Sequence, residues 1–194
     1  MYSKRIIIDI ETCPINLDGY FEKEEDEKLK LLNPIDSKIV AIGLRFQEKN
    51  YVFSEKLGSE SKILELFWQK LKEIKTENKA IPIIGFNIIS FDISFLTTRS
   101  LLNNVKIYPF SLSEILDLRD KIHAYKYGKT RGKLKEIALI LGQEILDVDG
   151  SDVSFFCKNK QFDLLEKYLE KDLEITDFLY KKIVDLDIIK IKKY

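Results

Sequence analysis

Ile6-Ile7-Ile8-Asp9-Ile10-Glu11-Thr12 is the stretch on which the fold turns. Lys4 to Ile10 reads as a continuous apolar strand, the pattern of a sheet element buried on both faces. Two acids interrupt its end. Asp9 and Glu11 stand two residues apart, so on a strand both carboxylates point to one face while Ile8 and Ile10 point to the other. Paired carboxylates on a core strand repel each other and lose hydration, a cost that a bound divalent cation relieves. The plainer alternative is a strand that stops at Asp9 with both acids in water.

Outward from this strand, Lys38 to Phe46 and Asn50 to Ser54 are β-rich segments, and three successive strands predict an antiparallel meander. Between Thr12 and Ser37 lie Pro14, Gly19, Pro34 and an acidic run from Glu22 to Glu27, which read as a long solvated loop with one helical turn at most. Ser59 to Thr76 spaces Ile63, Leu64, Phe67, Leu71 and Ile74 along one helical face, with Ser59 or Ser61 as the cap. A buried strand, Ile81 to Phe86, and a helix from about Ser90 to Leu102 follow. Strand, helix, strand in that order predicts an α/β sheet with crossover connections. Leu112 to Leu118 reads either as a fifth strand or as the opening of a helix. Lys133 to Leu141 predicts a helix ended by Gly142, and Phe162 to Leu186 a long amphipathic helix whose Leu164, Leu165, Leu169, Leu173 and Ile175 pack on the sheet.

With 194 residues, 45% of them hydrophobic, the chain is expected to form one domain over residues 1–194, too small for a polymerase or helicase. The formal net charge is zero, so any affinity for nucleic acid must be local. Cys13 and Cys157 are distant in sequence and lack zinc-ligand spacing, which reads as two free thiols in a reducing cytoplasm. Neither a secretory leader nor a membrane span is legible, so a soluble, cytoplasmic protein is expected.

Two further motifs carry carboxylates. In Gly85-Phe86-Asn87-Ile88-Ile89-Ser90-Phe91-Asp92 a strand gives way to a helix, with Ser90 as the expected cap and Asp92 in the first turn. In Tyr168-Leu169-Glu170-Lys171-Asp172 the tyrosine and the last acid are four apart, so on a helix they address one volume. Each motif has an ordinary structural reading by itself: a dipole-complementing Asp, and a tyrosine at a core edge.

Taken together, the Asp-x-Glu strand, the Asn-x-x-x-Phe-Asp helix start and the Tyr-x-x-x-Asp helix resemble, in order and context, the DEDD superfamily of 3′-to-5′ exonucleases. Tyrosine in the last motif places the likeness in the DEDDy group, because the position five before Asp172 is Lys167 and the single His123 lies too far upstream. The segment Gly132 to Gly142, followed by Asp149-Gly150-Ser151-Asp152-Val153, is similar to the exonuclease part of family B DNA polymerases. The resemblance implies a ribonuclease H-like α/β fold with a mixed sheet of about five strands flanked by helices. It also implies two divalent cations, Mg²⁺ or Mn²⁺. Asp9 would bridge both, Glu11 and Asp172 would complete the site that holds the nucleophile, and Asp92 would support the second cation through water. Tyr168 would orient the attacking water, since a phenol is a poor base at neutral pH.

The implied substrate is a single-stranded 3′ end, DNA in preference to RNA, with Thr12, Asn87 and Phe91 as candidate contacts. Phe91 has core packing as its competing role. From Arg119 to Lys135 seven basic residues face one Asp, interleaved with Tyr125 and Tyr127, a composition suited to tracking phosphates and stacking bases. Lys129, Arg131 and Lys133 are the candidates within it. Two rival readings are an endonuclease on the same fold and a catalytically silent nucleic-acid-binding or scaffold module.

Overall fold

The computed structural model describes residues 4–78, 80–126, 132–148, 150 and 152–193. In chain order they form strand β1 (Ile6–Pro14), helix α1 (Glu25–Lys30), strands β2 (Ser37–Phe46) and β3 (Lys49–Ser54), helix α2 (Glu60–Glu77), strand β4 (Ile83–Gly85), helix α3 (Asp92–Leu102), strand β5 (Ile115–Asp117), and helices α4 (Leu118–Ile122), α5 (Leu134–Ile140), α6 (Val153–Lys158) and α7 (Phe162–Asp185).

The five strands form one mixed sheet in the order β3-β2-β1-β4-β5. The first three make the expected antiparallel meander, and β4 and β5 join parallel to β1 through helical crossovers. β1 is therefore central. Ile6, Ile8 and Ile10 pack into the core beneath α2 and α3, while Ile7 packs into the opposite core against Leu173, Leu179 and Tyr180 of α7. Asp9 and Glu11 follow the parity of Ile7, which puts both on the α7 face.

A register shift just past Glu11 lets Val40 of β2 stand as an extra residue opposite β1. The alternation of β1 is undisturbed, and β2 sends Val40 and Ala41 together to the α6/α7 side. Gly43 of β2 pairs with Asp9, and a Cβ there would lie 2.8 Å from Leu173 Cδ1 and 2.9 Å from Leu169 Cγ. The missing side chain is what allows α7 to settle on the sheet beside the acid pair.

The other face is fixed by polar as well as apolar contacts. Ser59 caps α2 by accepting from the Lys62 amide, as one sequence alternative anticipated. The Glu60 carboxylate receives Arg99 Nε at 2.8 Å, Arg99 Nη2 at 2.6 Å, the Ile39 amide at 2.8 Å and Asn103 Nδ2 at 2.9 Å. This buried ion pair has its hydrogen-bonding capacity met, which ties α2, α3 and β2 together.

Several sequence expectations shift. β1 runs on to Pro14 instead of ending at the acids, because β2 pairs with it through Ser37. Ser90 does not cap α3: the helix begins at Asp92 with Phe91 at the cap position and no side-chain cap bond, the turn before it being closed by Asn87 O accepting from the Phe91 amide. β4 is shorter than Ile81 to Phe86. Of the ambiguous Leu112 to Leu118 segment, residues 112–114 form a 3-10 turn and only Ile115–Asp117 a strand. Leu164 is 46% exposed, so it does not join the packing face of α7. Helix α6, which carried no clear periodic signal, packs on β1 and α7.

Candidate active site

Two of the three acid motifs, that of β1 and that of α7, meet on the α7 face of β1. One carboxylate oxygen from each of Asp9, Glu11 and Asp172 lies within 4.8 Å of the others. Glu11 and Asp172 are buried, whereas Asp9 keeps part of its surface open to solvent. Asp92 stands next to it and is 2% exposed, and its Oδ1 accepts from the Ile10 amide at 3.1 Å. One oxygen of Asp92 is thus engaged in holding α3 against β1, and Asp92 is not part of the tight trio.

Electrostatics mark the cluster as strained. Burial, and then the charges of Asp92, Glu11 and Asp172, hold the Asp9 carboxyl well above the usual carboxylate range. Glu11 is pushed the same way by burial, Asp172 and Asp92. Burial lifts Asp92 to about 8, against its own backbone hydrogen bonds, and lifts Asp172 to about 6. Carboxylates so placed either hold protons or share a cation. Among the described residues, Oδ1 of Asp172 is buried with no hydrogen-bond partner, an acceptor left to bear its desolvation. Hard oxygen donors, mutual repulsion and an orphaned acceptor together fit a divalent metal site.

Tyr168 and Asp172, one turn apart on α7, are each 5% exposed, and the phenol hydroxyl engages the Asp172 carboxyl. Burial followed by the fields of Glu11, Asp172 and Asp9 raises the Tyr168 pKa above its ordinary value, so the hydroxyl keeps its proton through the neutral range.

A cation that was not among the candidates read from the sequence sits on the tyrosine. Lys135 Nζ lies 3.9 Å from the centroid of the Tyr168 ring and donates to the Val148 carbonyl. Its charge opposes the upward shifts of Glu11 and Asp172. The available signal was positional: Lys135 precedes the buried Ala138 by three residues, which puts a lysine on the inner stripe of α5.

The candidate substrate contacts divide. Thr12 is buried in β1 beside Glu11. Asn87 adopts a left-handed backbone, φ 61°, held by the Asp117 carboxylate, which accepts from the amides of Asn87 at 2.9 Å and Ile89 at 3.2 Å. Arg119 donates to Asn87 Oδ1 at 2.8 Å, leaving the Asn87 Nδ2 group as a donor for a ligand. Asp117 was also missed, although an acid closing the apolar Ile115-Leu116 pair carries the same signature as Asp9. Phe91 packs against the α2/α3 core, its ring 4.8 Å from that of Phe95. Lys133 is exposed at the start of α5, where Glu136 accepts from the Lys133 amide at 2.8 Å. Lys129 and Arg131 lie outside the described residues, as do Tyr127 and Gly128 between α4 and α5 and Asp149 and Ser151 before α6. Within the basic stretch, Lys121 is bound to the Ile189 and Ile191 carbonyls, a tie to the chain end.

Comparison with known proteins agrees with this fold. The chain is 31% identical, over an alignment of 170 residues that covers 82% of this chain and 93% of the other, to an uncharacterised protein of Methanocaldococcus jannaschii. The family B DNA polymerase of Pyrobaculum calidifontis superposes on 97% of this chain with a TM-score of 0.70 at 18% identity, a likeness of fold. This chain spans 25% of that polymerase. Residues 30–184, which carry Asp92, Tyr168 and Asp172, match the RNase_H_2 family. With its five-stranded mixed sheet and helices on both faces, the chain belongs to the RNase_H superfamily.

Proposed function

We propose that this protein is a metal-dependent 3′-to-5′ exonuclease that removes mononucleotides from single-stranded ends, DNA in preference to RNA. The observation that carries the reading is the convergence of Asp9, Glu11 and Asp172 beside Asp92, with the Tyr168 hydroxyl on Asp172. Asp9, Glu11 and Asp172, with Asp92 in support, would hold two divalent cations, Mg²⁺ or Mn²⁺. When bound, these supply the Lewis acidity that activates water and meets charge on the leaving 3′ oxygen.

The remaining tasks fall to side chains. Tyr168, protonated at neutral pH, serves as a hydrogen-bond donor that orients the attacking water. Lys135 holds the tyrosine ring from one side and keeps Glu11 and Asp172 ionised more readily than burial alone would allow. Asn87, locked by Asp117 and Arg119, presents its amide to an oxygen of the terminal nucleotide. Lys133, together with Lys129 and Arg131, meets the phosphates upstream of the end. The fold likeness to a DNA polymerase supports DNA as the substrate.

The test is a time course with 5′- and 3′-labelled single-stranded DNA and RNA, with Mg²⁺, Mn²⁺ or EDTA. Stepwise shortening from the 3′ end is expected, abolished by EDTA and by Asp9→Ala and slowed at least tenfold by Tyr168→Phe. Cleavage of a covalently closed circle would establish an endonuclease instead, and binding without any cleavage would leave a silent module.

A further inference from the structure

A pair of sulphur atoms lies close to the candidate site and takes no part in it. Cys13 ends the inner face of β1 two residues beyond Glu11, and Cys157 lies on α6, which packs against that strand. Far apart in sequence, the two side chains meet in one apolar cluster with Val40, Ala41, Val153 and Tyr168. Their thiols are in hydrogen-bond contact with each other. Cys13 is fully buried, whereas Cys157 is half-buried, so a small oxidant reaches the pair from the α6 side. The Lys38–Glu55 ion pair borders the pair.

We infer that Cys13 and Cys157 are a modification site: a redox-closable latch in which a disulfide, formed by a peroxide, ties α6 to the strand that carries Asp9 and Glu11. Closure brings the two sulphurs to about 2 Å, a geometry that Cα atoms about 4.4–6.8 Å apart allow. The chemistry balances with hydrogen peroxide as oxidant. One thiol sulphur attacks a peroxide oxygen, the O–O bond breaks, and a sulfenic acid and one water result. The second sulphur displaces the hydroxyl of the sulfenic acid, forming the S–S bond and releasing the second water. Overall, two thiols give up two protons and two electrons and one peroxide becomes two waters. The bond closes most of the chain into one loop, which restricts the unfolded state. This inference stands independently of the proposed nuclease activity.

The experiment treats the full, reduced, metal-free chain with hydrogen peroxide at low protein concentration. Free thiols are counted under denaturing conditions, intact mass and peptide cross-links are read by mass spectrometry, and melting is followed before and after. The expected result is loss of both thiols, a mass decrease of about two hydrogens, a Cys13–Cys157 cross-linked peptide and a melting temperature raised by about 5–15 °C, all reversed by dithiothreitol. Cys157→Ser should retain one titratable thiol and show no rise. Two thiols surviving treatment, oxygen added to either sulphur without a cross-link, or a disulfide between two copies of the chain would each overturn the inference.

Discussion

Replacing Gly43 with alanine adds one methyl group at the place where α7 comes closest to the sheet. The backbone itself accepts the change, since Gly43 is not among the glycines with positive φ. The obstacle is steric. The new Cβ would stand 2.8 Å from Leu173 Cδ1 and 2.9 Å from Leu169 Cγ, where carbon atoms settle at about 3.5–4.0 Å. Either the leucines leave their rotamers or α7 retreats by roughly 0.7 Å, and overpacking of this kind costs about 1–3 kcal/mol. Relief of glycine's unfolded-state entropy returns about 0.4–1 kcal/mol, for a net loss of roughly 0–2.6 kcal/mol with its middle near 1. Asp172 lies between Leu169 and Leu173 on α7, and Asp9 is the residue paired with Gly43. The retreat therefore widens the carboxylate cluster itself. Guanidinium unfolding should show the lower stability, and calorimetric titration should show Mn²⁺ affinity weakened roughly tenfold, as for loss of support around a metal site. Gly150→Ala, where a Cβ meets nothing, serves as the control. If Gly43→Ala unfolds at the wild-type midpoint and binds Mn²⁺ as the wild type does, the argument that this glycine seats Asp172 is wrong.

Saturating Mn²⁺, at about a hundred times its dissociation constant, should stabilise the protein by about 2.7 kcal/mol and raise its melting temperature by roughly 5–10 °C; a comparable rise in Asp9→Ala would remove Asp9 from the site. In EDTA the stability should fall as pH climbs from about 4 to about 8, because Asp172 and Asp92, with folded pKa values of about 6 and about 8, hold protons that the unfolded chain releases earlier. Denaturant midpoints measured across that range check the sign, and Asp92→Asn should flatten the upper part. Lys135→Met should shift the pH dependence of Mn²⁺ binding upward by removing the charge that opposes protonation of Glu11 and Asp172, with Lys135→Arg closer to wild type; an unshifted profile would refute the electrostatic role.

The positions of the acids were legible because their local patterns are strong. Alternation along Ile6 to Glu11 forces Asp9 and Glu11 onto one face, and helical spacing forces Tyr168 and Asp172 onto another, whatever the rest of the chain does. Cap and boundary details were less legible. Ser90 has the composition of a cap, yet the turn closed on Asn87 starts the helix two residues later. Short pieces such as β5 and α6 owe their form to neighbours, since three residues of strand or six of helix have too little intrinsic preference to declare themselves.

By itself, then, the order of residues determined the meander, the long α7 and the faces on which the acids lie, because period and parity are properties of a single segment. Only tertiary structure decided how near those faces come. The bare Cα of Gly43, the reach of Lys135 from α5 to the Tyr168 ring, the grip of Asp117 and Arg119 on Asn87 and the meeting of Cys13 with Cys157 are all encounters between segments distant in the chain. Such contacts depend on interhelix and helix–sheet distances being right to a few tenths of an ångström, which packing sets and no local pattern encodes.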